Sequence, residues 1–122
     1  MAWEVEFTDE FELWWNRLSE DEQESIGFGV RLLQARGPNL PRPYADRVHG
    51  SKHSNMKELR CQHSGNPYRV LYAFDPRRIA ILLIGGDKTG DDRWYSTYVP
   101  KADAIYDAHL EAIENEKKQS GK

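Results

Sequence analysis

The sequence predicts an α+β fold, a small antiparallel sheet of three to four strands with two helices before it and one helix after it. Three observations predict it. Apolar residues recur at helical spacing in two segments ahead of Gly37 and in one beyond Pro100. Three runs in the middle, Met56 to Gln62, Tyr68 to Phe74 and Ile79 to Ile84, have the length and residue types of strands. The connections between them, Ser64-Gly65-Asn66-Pro67 and Asp75-Pro76-Arg77-Arg78, are short and turn-forming, which joins antiparallel neighbours.

Each element has its own signal. Trp3, Val5 and Phe7 alternate with Glu4 and Glu6, the period-two pattern of a half-buried first strand. Thr8 or Asp9 caps a short helix reaching about Leu18, whose face carries Phe11, Trp14, Trp15 and Leu18. Ser19 and Glu22 form a capping box for a second helix with Ile26, Val30 and Leu33 inward, and Gly37-Pro38 stops it. Gly37 to Gly50 holds three prolines and reads as an ordered, irregular connection. Of the strands that follow, Ile79 to Ile84 is apolar on both faces and should be the most buried, with Gly85-Gly86 closing it. After the polar loop Asp87 to Asp92, Pro100 reads as the start of a helix with Tyr106, Leu110 and Ile113 on one face. Residues 1–115 are expected to form a single domain and 116–122 a charged tail.

A chain of 122 residues supports one apolar core. No apolar stretch is long enough to span a bilayer, and the first twelve residues are acidic, so neither membrane insertion nor secretion is expected. Cys61 is the lone cysteine, which excludes an internal disulfide and fits the reducing cytoplasm. The net charge of −3 conceals an uneven distribution: −8 over Met1 to Ile26, +7 over Gly27 to Arg78, and −2 over the remainder. A basic middle between acidic ends can offer one cationic face to a polyanion, because local potential rather than net charge steers it.

Several chemistries are excluded. Gly85 to Gly90 lacks the glycine and lysine order of a phosphate-wrapping loop. His49 and His53 stand four apart without a helix signal or an adjoining Glu, so no metal site is expected. No nucleophile elbow surrounds Ser51, Ser54 or Ser64.

The series Arg47-Val48-His49-Gly50, Met56-Lys57-Glu58-Leu59-Arg60, Tyr68-Arg69-Val70-Leu71-Tyr72 and Ile84-Gly85-Gly86-Asp87-Lys88-Thr89-Gly90-Asp91-Asp92-Arg93-Trp94-Tyr95 resembles the HigB-like, phage-related branch of the RelE/ParE toxins. The resemblance covers most of the chain. It implies the RelE-like fold and ribosome-dependent, metal-independent cleavage of messenger RNA. It also implies partnership with the ribosome and with a helix-turn-helix antitoxin, and no small-molecule cofactor. Two other readings stay open: a ParE-like inhibitor that docks on a protein such as gyrase without cutting RNA, and an inert phage-derived remnant.

RNA cleavage by the 2′-hydroxyl needs a proton acceptor, a cation for the crowded phosphorane and a proton donor for the leaving 5′-oxygen. The resemblance assigns Arg69 to the phosphate, with Arg60 on the adjacent strand, Lys88 as a catalytic cation and Tyr95 as a residue that stacks on a base or orients the nucleophile. Lys57, Arg47, His49, Lys52, His53 and Arg93 are the expected RNA-binding residues. Glu58 departs from the lysine-rich strand of the best-known members, which favours the docking reading.

Overall fold

The computed structural model describes residues 2–120, so Met1 and the last two positions of the expected 116–122 tail lie outside the described residues. The elements are β1 (Val5–Phe7), α1 (Asp9–Asn16), α2 (Glu20–Arg36), a 3-10 turn (Gly37–Asn39), β2 (Ala45–Arg47), β3 (Lys57–His63), β4 (Asn66–Phe74), β5 (Ala80–Asp87) and α3 (Trp94–Ser120). The five strands form one sheet in the order β1-β5-β4-β3-β2. The α+β class holds, with five strands rather than three to four. The sheet is also mixed: β2 to β5 pair antiparallel, while β1 lies parallel to β5.

Both differences have a physical origin. β2 has three residues, too few to show a period, and it becomes a strand because β3 supplies partners, with Ala45 opposite Leu59 and Arg47 opposite Lys57. The direction of β1 is set by Ala80 to Leu82, far along the chain, and no local pattern records it. The helix starts follow the sequence signals. Thr8 Oγ1 accepts the N–H of Phe11 at 3.1 Å and donates to the Leu83 carbonyl at 2.7 Å, so one hydroxyl caps α1 and ties it to β5. Ser19 and Glu22 exchange the reciprocal bonds of a capping box, at 2.8 and 3.1 Å.

The last helix departs from expectation, because it begins at Trp94 and Pro100 lies inside it. Trp94 is 1% exposed, and its packing on the sheet sustains the turns ahead of the proline. The expected tail beyond Asn115 continues this helix as far as Ser120.

Two apolar layers fill the two faces of the sheet. α1 and α2 close one over Phe11, Trp14, Ile26, Leu33 and Leu59, and α3 closes the other over Leu71, Ile81, Leu83, Trp94 and Tyr106. Gly85 and Gly86 lie within β5 rather than ending it. A Cβ at Gly85 would stand 2.3 Å from the Trp14 ring, and one at Gly86 would stand 2.8 Å from Trp94 Nε1. The β4 to β5 turn is pinned to α3 by Asp75, whose buried carboxylate accepts from Arg77 N at 2.8 Å, Arg77 Nη2 at 2.7 Å and His109 Nε2 at 2.9 Å. Burial favours the neutral acid, yet the bonds from Arg77, His109 and Ile79 outweigh it and hold the carboxyl below its ordinary range.

Two stability measurements test this account. Gly85→Ala must displace an indole in a filled core and is expected to destabilise by about 1–3 kcal/mol in urea unfolding. An unchanged midpoint would remove the close approach. Because the pKa of Asp75 is depressed on folding, its stabilisation is complete above the unfolded carboxyl's value of about 3.9 and fades as pH falls through the lower folded value. Asp75→Asn should therefore be less stable at neutral pH and show a shallower loss of stability below about pH 4.

Candidate active site

Strand alternation sorts the central charges. On β3, Leu59 and Cys61 turn toward α2, so Glu58 and Arg60 turn toward the α3 side. On β4, Val70 faces α1 and α2, and Arg69 faces α3. Arg60 and Arg69 stand directly opposite each other in the ladder. Two guanidinium groups in that register repel unless an anion separates them.

Glu58 is that anion. Its side chain is 4% exposed. Oε2 accepts from Arg60 Nε at 2.8 Å, Oε1 accepts from the Tyr95 hydroxyl at 2.5 Å, and Arg69 Nε lies 3.6 Å from Oε1. Arg69 Nε also donates to the Tyr95 hydroxyl at 3.4 Å. Behind Arg60, Asp46 of β2 accepts from Arg60 Nη2 at 3.2 Å and pairs with Arg42 at 3.0 Å. Lys88 follows directly on β5, its N–H bonded to the Pro67 carbonyl at 2.9 Å and its ammonium 5.5 Å from the centre of the Tyr95 ring.

The electrostatics hold Tyr95 and Arg60 each in one form. Burial first, then the bond to Glu58, raise the Tyr95 pKa, so the phenol stays protonated. The bond to Glu58 raises that of Arg60, which stays charged. α1 and α2 each place three acids in their first turn and α3 places none, but the Asp91 carboxylate stands just ahead of it and accepts from the Arg93 N–H at 2.9 Å. Cys61 is no nucleophile: burial pushes its thiol up to about 12.

The structure thus brings together four of the expected residues, Arg60, Arg69, Lys88 and Tyr95, and keeps others apart. Arg93, exposed, precedes Tyr95 by two positions in the turn before α3. Lys57 reaches toward the Pro38 carbonyl on the α2 side, 3.5 Å away, and Arg47 is its exposed ladder partner. Lys52 and His53 both bind Asp107, the latter at 2.7 Å, which fastens their loop to α3. His49 is exposed. A groove of about 880 Å³ lies between α2 and the end of β3, lined by Phe28, Tyr44, Cys61 and His63, and meets the cluster only at Arg60 and Arg69.

Sequence reasoning missed Glu58 and Asp46 as members of the site. Glu58 could have been found, since residues two apart on a strand share a face and Arg60 was already singled out. Asp46 gave no signal, because β2 was not recognised.

A family model described as phage derived protein Gp49-like matches residues 13–107. HigB3 of Mycobacterium tuberculosis, provisionally designated a toxin, is 47% identical over 93 residues, covering 75% of this chain and 80% of HigB3. Among solved structures, the isolated Escherichia coli RelE toxin superposes with a TM-score of 0.56 at 11% identity, covering 80% of this chain and 96% of RelE. The toxin–antitoxin complex RelBE2 of Mycobacterium tuberculosis gives 0.53 at 16% identity, covering 71% of this chain and 99% of the matched one. At these identities the structures establish a shared RelE fold.

The coupling of Tyr95 to Glu58 is measurable by alkaline titration of the tyrosine absorbance. Glu58→Gln removes a charge that raises the Tyr95 pKa, so the Tyr95 transition should move down toward the ordinary tyrosine value of about 10. A transition that stays in place, or one insensitive to Tyr95→Phe, would break the assignment.

Proposed function

The chain belongs to the phage-derived Gp49-like family, and from that membership and the geometry of the cluster we propose that it is the toxin of a type II toxin–antitoxin pair. In this reading it is a cytoplasmic endoribonuclease that cuts messenger RNA on the ribosome without a metal ion. The observation that carries the proposal is Glu58, a proton acceptor enclosed by two guanidinium groups and a phenol, with an ammonium beside them.

Those groups match the needs of 2′-hydroxyl attack. Arg60 and Arg69 take phosphate oxygens in place of the carboxylate, as their planar forks allow. Glu58, freed of part of its bonding, accepts the 2′-hydroxyl proton as the 2′-oxygen bonds to phosphorus. The bond from phosphorus to the 5′-oxygen breaks, the Lys88 ammonium protonates that oxygen, and the products are a 2′,3′-cyclic phosphate and a 5′-hydroxyl. Tyr95, neutral throughout, donates to the carboxylate and presents a ring face to a base. An acid on β3 therefore supports the nuclease reading rather than the docking one.

Antitoxin complexes of the same fold support a protein partner that silences the chain. A helix-turn-helix antitoxin that covers the cationic residues with an acidic or amphipathic helix fits this surface. The domain of residues 1–115 carries the whole proposed site.

Cleavage of messenger RNA on translating ribosomes tests the assignment. Arg69→Lys keeps the charge and loses the fork, so it should retain binding and cut roughly 100- to 1000-fold more slowly. Glu58→Gln should lower the rate by roughly 100- to 10,000-fold, the usual worth of a general base. Melting temperatures on the same preparations separate chemistry from folding. Variants that cut like wild type would sink the assignment, and a wild-type protein that arrests replication while RNA stays intact would favour docking on a protein such as gyrase.

A further inference from the structure

One turn beyond Tyr95, α3 repeats the same arrangement. Tyr98 is partly buried, and the Lys101 ammonium stands 5.0 Å from the centre of its ring, as Lys88 stands at Tyr95. Beneath Tyr98 lies the Trp94 ring, 4.6 Å away and tilted by only 17°, and Trp94 itself is 1% exposed. Tyr98 is thus held flat against a fixed indole, with an exposed, flexible lysine near its ring. Arg42, Lys52, Arg60 and Arg77 are each paired with a carboxylate, whereas among the described residues neither Lys88 nor Lys101 is.

Nothing in the cleavage chemistry uses Tyr98 or Lys101. An aromatic ring backed by a second ring and topped by an unpaired cation has what single-stranded nucleic acid needs: a π-face for a base and a charge for the adjoining phosphate. The Trp94 ring stands at 83° to Tyr95 and at 17° to Tyr98, so the two tyrosine rings face different directions and suit bases splayed apart rather than stacked on each other. A strand whose base meets Tyr95 can turn its next base out onto Tyr98.

We propose that Tyr98 and Lys101 form a second nucleotide-binding position, in which Tyr98 stacks on the base of a single-stranded RNA and Lys101 swings from the ring to its phosphate. The inference rests on the nuclease reading for its ligand, but not on Glu58 or on any proton transfer. The position takes any base, because stacking on a ring face does not read hydrogen-bonding edges.

The test is equilibrium binding of a short 2′-O-methyl RNA, which lacks the attacking hydroxyl and is bound without being cut, titrated at several salt concentrations with the full chain. Tyr98→Leu keeps apolar volume and loses the π-face, and should weaken binding by about ten-fold or more. Tyr98→Phe keeps the face and should stay within about two-fold of wild type. Lys101→Gln should lower the slope of log affinity against log salt by about 0.7, the share of one phosphate contact on a single strand. The position is refuted if Tyr98→Leu binds like wild type at an unchanged melting temperature, or if Tyr98→Phe loses as much as Tyr98→Leu. It is also refuted, even where Tyr98→Leu fails to fold, if Tyr98→Phe and Lys101→Gln show no such pattern, or if wild type does not bind the probe. A protein that binds through Tyr98 yet never cuts RNA would refute the nuclease reading and leave the position standing.

Discussion

Consecutive residues of a strand face opposite ways, and at Gly85 and Gly86 this chain uses both faces for a tryptophan. Trp14 of α1 seats on one and Trp94 of α3 on the other, each where a side chain would collide with an indole ring. The heights of both helices over the sheet follow from these two contacts. Gly86 is also the ladder partner of Arg69, so the indole that anchors α3 rests on the residue directly beside Arg69. Tyr95, the next residue, then brings its hydroxyl to the guanidinium. The site is built from parts far apart in sequence, and the paired glycines bring them to one depth.

Glu58 solves a problem that the strand register creates. Arg60 opposite Arg69 would be a repulsive pair on any sheet, and an enclosed carboxylate between them replaces the repulsion with two hydrogen bonds, from Arg60 and Tyr95, and an ion pair with Arg69. Removing an acid from water is costly unless each oxygen finds partners, and both oxygens of Glu58 do. The same arrangement preorganises the cations, since guanidinium groups already oriented toward an anion need little rearrangement to accept another. In the proposed mechanism the structural and chemical demands on this residue coincide.

The elements that declared themselves in sequence were those whose signals are local. The capping box at Ser19 and Glu22, the cap at Thr8 and the turns between β3, β4 and β5 depend on residues a few positions apart, and they stand where the spacing put them. β2, the direction of β1 and the early start of α3 depend on partners elsewhere in the chain. Pro100 misled because proline favours a first turn, whereas here the sheet holds Trp94 and extends the helix backward past it. Of the site, the bases and the tyrosine were legible through the resemblance, and Glu58 was read alone as a departure instead of with Arg60 as one face of a strand. Lys57 and Arg47 belonged to the same basic segment, but alternation sends them to the other side of the sheet. Sequence clusters charge by proximity along the chain, and a pleated strand divides it between two surfaces.

The parallel pairing of β1 with β5 also bears on when the molecule comes into being. Val5 to Phe7 leave the ribosome well before Ala80 to Leu82 and wait for them as a partner, so the sheet's edge closes only across a very long loop. Contacts of that separation put topology, rather than helix formation, in control of the folding rate. Lys88 and Tyr95 emerge later still, and no shorter nascent chain contains the completed cluster around Glu58. A nascent chain that stops short of Tyr95 therefore lacks the arrangement proposed to act on RNA.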